Sequence, residues 1–112
     1  MKCTVIADNL KKSISLSERS AGKDATLPIL SSFLLSAEKG VLKITTTNLE
    51  IGLQTSVRSS IQEQGRVAIP VKILSSFIST VQKDEKITLE SKGHDLVLTI
   101  RDQKTLFKGF TP

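Results

Sequence analysis

Residues 69–83 have the spacing of an amphipathic helix, and this segment limits the possible folds because its apolar side must be covered by another layer. Pro70 suits the first helical position, where its fixed φ favours the helix and its missing N–H is not needed. The pattern predicts a helix over residues 70–82. Its buried stripe should consist of Val71, Leu74, Phe77, Ile78 and Val81.

The opposite side of this helix is basic and hydroxylated, and it comprises Lys72, Ser76, Ser79 and Lys83. A solvated helix face usually mixes Glu with Lys, because oppositely charged residues four positions apart stabilise the helix. This face carries no carboxylate. It is therefore a candidate surface for phosphate groups.

A second helix with the same division of surfaces is predicted near the start of the chain. Asp8 or Asn9 can cap a helix that runs to about Ser20. Leu10, Ile14, Ser17 and Ala21 share one side of this helix. Lys12, Ser15 and Arg19 share the other side, with Lys11 beside them.

Alternating apolar and polar residues around both helices predict short strands. Each half of the chain reads as strand, helix and three strands, without obvious sequence identity between the halves. This order predicts an α+β fold built by structural duplication, with two helices side by side on one face of antiparallel sheets. The predicted strands are Lys2–Ile6 and residues 33–37, 41–46, 51–59, 66–69, 86–90, 96–101 and 105–110, with a polar loop at 62–65.

If the helices lie side by side, their basic faces form one patch. Most of the carboxylates fall in turns and strands, away from this patch. The alternative is that short polar helices simply present lysine to water, and the pattern alone leaves both interpretations open. The patch would contain Lys11, Lys12, Arg19, Lys72 and Lys83, edged by Ser15, Ser76 and Ser79.

Length and composition indicate one globular domain of 112 residues in a reducing, cytoplasmic location. Sixteen Lys and Arg against eleven Asp and Glu give a net charge of +5, which is compatible with nucleic acid. The single cysteine, Cys3, cannot form an internal disulfide, and we expect no secretion signal or membrane segment. Four Phe and no Tyr or Trp favour contact with a duplex backbone over stacking on bases.

The sequence lacks the residue combinations that catalysis or metal binding would need. His94 is the only histidine and adjoins Gly93 in a turn, so we expect it to be solvated. Cys3 is expected to be a small buried hydrophobe, and Asp84 with Glu85 is expected to form a solvated turn. We predict no enzymatic activity, no cofactor and no metal.

Several motifs in fixed order resemble the first domain of the bacterial DNA polymerase III β subunit family, the sliding clamps. The resemblance covers all 112 residues. It rests on Met1-Lys2-x-Thr4-Val5, Thr26-Leu27-Pro28-Ile29-Leu30, Leu42-x-Ile44 followed by Thr47-Asn48-Leu49-Glu50, and Ile69-Pro70-Val71-Lys72.

The resemblance implies a ring of two three-domain subunits around duplex DNA, with helices lining the hole. Such a clamp tethers the polymerase without chemistry of its own. Loose, sequence-independent phosphate contacts would let it slide. Lys23, in the loop where the family often has a basic residue, would join the patch on the helices. The chain corresponds to the first domain, and polymerase and clamp loader would bind through the second and third domains.

The resemblance also implies a subunit interface along the last edge strand and the flank of the second helix. The implied residues are Ile73, Phe77, Leu106, Lys108 and Phe110. Core packing is the alternative for Phe77. A rival hypothesis from another class is a protein-interaction module that uses this C-terminal edge strand, with incidental positive charge.

Overall fold

The computed structural model describes residues 1–18, 32–47 and 52–109. Within these ranges the chain forms two helices and nine strands, which confirms the α+β class. The elements are β1 (Lys2–Ile6), α1 (Ala7–Glu18), β2 (Ser32–Glu38), β3 (Val41–Thr47), β4 (Gly52–Arg58), β5 (Ser60–Glu63), β6 (Gly65–Pro70), α2 (Val71–Ser79), β7 (Lys86–Lys92), β8 (Asp95–Ile100) and β9 (Gln103–Phe107).

The strands form two antiparallel sheets. The five-stranded sheet has the order β5-β1-β7-β8-β9, and the four-stranded sheet has the order β4-β3-β2-β6. The predicted duplication is present as β1-α1-β2-β3-β4 and β6-α2-β7-β8-β9. Each half contributes its first strand to the sheet of the other half, because β1 pairs with β7 and β6 pairs with β2.

One hydrophobic core joins the inner faces of both sheets to the two helices. Leu10 and Ile14 of α1 and Leu74 and Ile78 of α2 are almost fully buried in it. The predicted stripe of α2 is thus confirmed, and Val71 and Val81 are also buried. Sheet residues that complete this core include Phe33, Leu35, Leu42, Ile44, Ile87, Leu89, Leu96 and Leu98.

Helix α2 is shorter than the predicted 70–82, because Pro70 has extended backbone and ends β6, and because the last helical turn tightens at Ser79. The N–H groups of Thr80 and Val81 donate to the carbonyl oxygens of Phe77 and Ile78, three residues earlier, over 3.1 Å each. The Thr80 hydroxyl also donates to the Phe77 carbonyl at 2.7 Å. Hydroxyls of this kind offer the backbone an alternative to helical bonding.

The prediction of a polar loop at residues 62–65 was wrong except at Gln64, because residues 62 and 63 belong to strand β5 and Gly65 begins β6. The strand exists because β1 offers it an open edge, with Lys2 opposite Glu63 and Cys3 opposite Ile61. The Met1 ammonium group adds a 3.2 Å ion pair to the Glu63 carboxylate. These partners are some sixty residues away along the chain, so the local sequence gave little sign of a strand. Strand β9, at Gln103–Phe107, also begins and ends earlier than the predicted 105–110.

The backbone at Gly109 passes so close to two other segments that only glycine fits there. A Cβ atom at this position would clash with the carbonyl oxygen of His94 and would lie 2.6 Å from that of Ala68. Both obstacles are backbone atoms, so rotation of a side chain cannot relieve the clash. The residue is held between the β7–β8 turn and strand β6.

Replacing Gly109 with Ala should lower the free energy of unfolding by roughly 1–3 kcal/mol, the usual range for overpacking. Urea unfolding followed by circular dichroism measures this change. Gly52→Ala is the matched control, because its Cβ would meet only the Thr46 carbonyl oxygen at 3.9 Å. Equal stabilities of the two variants would mean that the backbone at residue 109 adjusts freely.

Candidate nucleic-acid interface

The two helices lie side by side and leave a groove of about 350 Å³ between them. Ile14 and Ile78 line it as buried apolar residues. Three predicted residues meet here, namely Lys11 and Ser15 of α1 and Ser79 of α2. Sequence reasoning did not assign Glu18 and Ser75 to this site, although both line the same groove.

The segment after α2 fixes the start of α1. The N–H of Ala7 donates to the Glu85 carbonyl oxygen at 2.8 Å, and the N–H of Asp8 donates to the Lys83 carbonyl oxygen at 3.0 Å. These bonds satisfy two N–H groups of the first helical turn, which have no partner inside the helix. The predicted placement of Lys83 on the helix was therefore wrong. Lys83 is exposed in the turn beyond α2, beside the first turn of α1.

The face of α1 is less purely basic than predicted. Lys12 forms a 3.2 Å ion pair with Asp8, one helical turn earlier, and Glu18 lines the same groove as Lys11. Helix α2 carries no carboxylate, and Lys72 and Ser76 are exposed on it as expected. We use the name helix face for Lys11, Lys12, Ser15, Lys72, Ser76, Ser79 and Lys83. Arg19 and Lys23 lie outside the described residues.

Two large apolar side chains are exposed near the edge strand β9. Ile73 of α2 has 59% of its surface exposed, and Leu106 of β9 has 54%. Phe107 is buried and meets Phe77 in an edge-to-face contact with ring centroids 5.3 Å apart. Because side chains alternate along a strand, Leu106 points to the side of the sheet away from α2. Ile73 lies one helical turn before Phe77, so it is on the α2 side of this sheet, and Leu106 is on the opposite side.

Phe77, one residue of the predicted interface, contacts Phe107 within the domain. Phe77 is half-buried and packs against the core, as the alternative for this residue anticipated. Phe110 lies outside the part of the chain that the structure describes.

Lys108 is exposed and held by Asp95. Its ammonium group lies 3.1 Å from the Asp95 carboxylate, whose other oxygen accepts the N–H of Gly109 at 3.3 Å. The hydrogen bond from Lys108 is the main reason why the pKa of Asp95 is lowered. Partial desolvation opposes this effect, and the N–H of Gly109 adds to it. The ion pair with Asp95 thus partly neutralises the charge of Lys108 within the domain.

Cys3 and Glu85, which the sequence offers as possible reactive groups, both lie in environments that explain them as structural residues. Burial raises the pKa of the Cys3 thiol, which confirms the prediction of a small buried hydrophobe. The prediction of a solvated turn was wrong for Glu85, whose side chain is only 15% exposed and pairs with the Arg101 guanidinium group. Its Oε2 atom accepts the Arg101 Nε–H at 3.2 Å.

Across the described ranges 1–18, 32–47 and 52–109, no three His, Cys, Asp or Glu side chains are grouped so that they could hold a metal ion. His94 is exposed in the β7–β8 turn. Neither helix described is long and apolar enough to span a membrane.

The fold is that of a sliding-clamp domain, since several solved clamps superpose on nearly the whole chain. The DNA polymerase sliding clamp from Caulobacter crescentus matches with a TM-score of 0.91 at 23% identity, over 98% of this chain and 30% of that one. A putative DNA polymerase III β subunit from Eubacterium rectale matches with a TM-score of 0.92 at 24% identity, over 99% of this chain and 30% of that one.

The family follows from sequence. A family model described as the DNA polymerase III beta subunit, N-terminal domain, matches residues 1–110, and the chain belongs to this family. The β sliding clamp of Synechococcus elongatus is 27% identical over 99% of the chain, and that of Synechocystis is 33% identical over 80%. The matches span 30% and 23% of these two relatives.

Replacing Lys108 with Gln should raise the pKa of Asp95 toward its ordinary value of about 3.9, because the charged hydrogen-bond donor of the carboxylate is replaced by a neutral amide, which is a weaker donor. An NMR titration of the side-chain carboxyl carbon measures this change. Since the folded-state pKa of Asp95 is lowered, its stabilising effect is present above the ordinary pKa and is lost as the pH falls through the folded-state value.

The stability difference between Lys108→Gln and the unaltered chain should therefore shrink in that acidic range. Lys86→Gln removes an exposed lysine at the other end of the same sheet and is the control. An Asp95 titration that is identical in both variants would contradict the assignment of Lys108 as the main cause.

Proposed function

We propose that this chain acts as the first domain of a DNA sliding clamp, contributing to the surface that encircles duplex DNA. The observation that carries the proposal is the match of the family's N-terminal-domain model to residues 1–110. The adjacent position of α1 and α2 supports it, because this arrangement brings lysine and serine side chains from both helices onto one surface.

The charge of the helix face suits a surface that slides. Four lysines stand against two carboxylates, those of Asp8 and Glu18, and Lys12 is already paired with Asp8. Such a modest excess attracts phosphates without holding any one of them tightly. Lysine is a mobile point charge, whereas the planar fork of arginine would favour fixed, bidentate phosphate contacts. The expected affinity for duplex is weak, roughly 10⁻⁴ M at physiological salt.

The remaining partners of the proposed function follow from the resemblance. The complete clamp would be a ring-shaped homodimer in the cytoplasm, non-catalytic itself. The DNA polymerase III catalytic subunit and the clamp loader would bind through the second and third domains. Ile73, Leu106 and Lys108 would contribute to the joint between subunits. The exposure of Ile73 and Leu106 beside the edge strand β9 supports this role.

Replacing Lys11, Lys12 and Lys72 with Gln should weaken duplex binding and lower the slope of log affinity against log salt by roughly 2 units, because two or three phosphate contacts are removed. Fluorescence anisotropy with a labelled duplex at several salt concentrations measures both quantities. Two duplexes of unrelated sequence should bind equally, since phosphate contacts carry no sequence information.

Ser13→Ala is a control, because it alters α1 without changing the charge. An unchanged salt slope in the triple variant would place the phosphate contacts elsewhere. Tight or sequence-selective binding would contradict a sliding surface.

A second candidate function is a protein-interaction module that works through β9. The exposed Leu106 on an edge strand, with Ile73 across it, favours this alternative. Under the clamp proposal these residues would contact a different domain of the partner subunit. That domain is not part of this chain, so the chain alone should not self-associate strongly.

Sedimentation velocity of the 112-residue chain should therefore show a monomer at micromolar concentration. A dimer that depends on concentration and disappears in Leu106→Glu would favour the interaction module instead. Leu16→Glu is the matched control, because Leu16 is 50% exposed on α1 but is not part of the β9 edge.

A further inference from the structure

A second cluster of positive charge lies on the four-stranded sheet, on the face turned away from the core. More buried residues alternate with more exposed ones along β3 and β4, so Leu42 and Val57 point to the core while Lys43 and Arg58 point outward. Arg66 of β6 is exposed and pairs with Ser36, which also pairs with Lys43, so it lies on the same outer face. We use the name outer basic patch for Lys39, Lys43, Arg58 and Arg66, which surround the single carboxylate of Glu38.

Strand register brings these residues to one end of the sheet, although they are distant in sequence. Val41 pairs with both Glu38 and Arg58, and Ser36 pairs with both Lys43 and Arg66. Four neighbouring strands at about 4.8 Å spacing place the two arginines roughly 14 Å apart across the sheet. That separation is comparable to a DNA major groove about 12 Å wide, so the two side chains can reach phosphates on either side of it.

The charges of the outer basic patch are only partly neutralised inside the domain. Lys43 forms a 2.9 Å ion pair with Glu38. Lys39 and Arg66 also lie close enough to lower the pKa of Glu38, although the bond from Lys43 is the main cause. Among the described residues, Lys39, Arg58 and Arg66 form no ion pair, and all three are exposed. Within the part of the chain that the structure describes, three cations thus remain available to an external anion.

The surroundings favour a nucleic-acid backbone as that anion. The neighbouring outward side chains include Ser36 and Ser56, whose hydroxyl groups can donate to phosphate oxygens. The aromatic residues within the described ranges do not offer a stacking platform here, since Phe33 is buried and Phe77 and Phe107 pack together beside the other sheet. Single strands usually need such a platform, so a duplex fits better.

We propose that the outer basic patch binds the sugar–phosphate backbone of duplex DNA separately from the helix face. The two surfaces lie on opposite sides of the core, so one stretch of duplex cannot occupy both. In a clamp this second site would hold DNA against the outside of the ring. The proposal goes beyond the encircling role and does not depend on it.

Three variants of the 112-residue chain, each lacking three positive charges, separate the possibilities. The first replaces Lys39, Arg58 and Arg66 with Gln, the second Lys11, Lys12 and Lys72, and the third Lys86, Lys92 and Lys104 on the five-stranded sheet. The probe is a labelled duplex of about one helical turn, roughly 10 base pairs. Thermal unfolding checks that each variant is folded.

The first variant should lower the salt slope by roughly 2–3 units, and the third should change it much less. In the second variant, duplex should still shift the backbone NMR signals of residues 39, 58 and 66. An unaltered slope and affinity in the first variant would overturn the outer site and leave the helix face standing. Equal losses in the first and third variants would also overturn it, because only net charge would then matter.

Failure of the proposed function has a different signature, in which the second variant binds duplex as well as the unaltered chain. A polyglutamate peptide provides the remaining comparison. If the peptide shifts the signals of residues 39, 58 and 66 and the duplex does not, the patch is a protein-docking surface and the proposal fails.

Discussion

The two sheets depend on the pairing of each half's first strand with the other half. β1 runs directly into α1, and β6 runs directly into α2, with no loop between strand and helix. Pairing β1 with β7 and β6 with β2 therefore fixes where both helices begin. The backbone hydrogen bonds of these strand pairs therefore also fix the position of the groove between the helices and of the lysines beside it. Long-range strand pairing, more than the helices' own propensity, positions the helix face.

Features set by neighbouring residues were predictable from the sequence. The turn at Gly93 was anticipated, and this glycine, like Gly40 in the β2–β3 turn, has the positive φ that hairpin turns favour. The buried stripe of α2 followed from helical periodicity alone. The β-α-β-β-β duplication followed from the order of these local patterns.

Features set by distant partners escaped prediction. Strand β5 depends on the open edge of β1, and the burial of Glu85 depends on Arg101 from the β8–β9 turn. Glu18 was visible as an acid on α1, but its place in the groove depends on how α2 packs. The end of α2 was missed for a more local reason, because hydroxyl competition for the last carbonyls is a weak signal beside strong apolar periodicity.

The positive charges of the domain were also predicted only where neighbouring residues group them. Lysines on the helices stood out because helical spacing groups residues three or four apart. The residues of the outer basic patch come from three strands and a turn and share no window of sequence. Only the register of the four-stranded sheet brings them together. Positive charge is therefore not confined to the helix face, and the net charge of +5 does not mark that face alone.

The positions of Ile73 and Leu106 on the two sides of β9 have a mechanical consequence. A partner that contacted only one of these side chains could rotate about the axis of the strand. A partner that grips both is fixed above and below the plane of the sheet, and its pairing with the strand edge then resists twisting as well as separation. If a partner domain pairs with this edge, the joint would transmit torque to it, and its stiffness would help to set the curvature of the assembly.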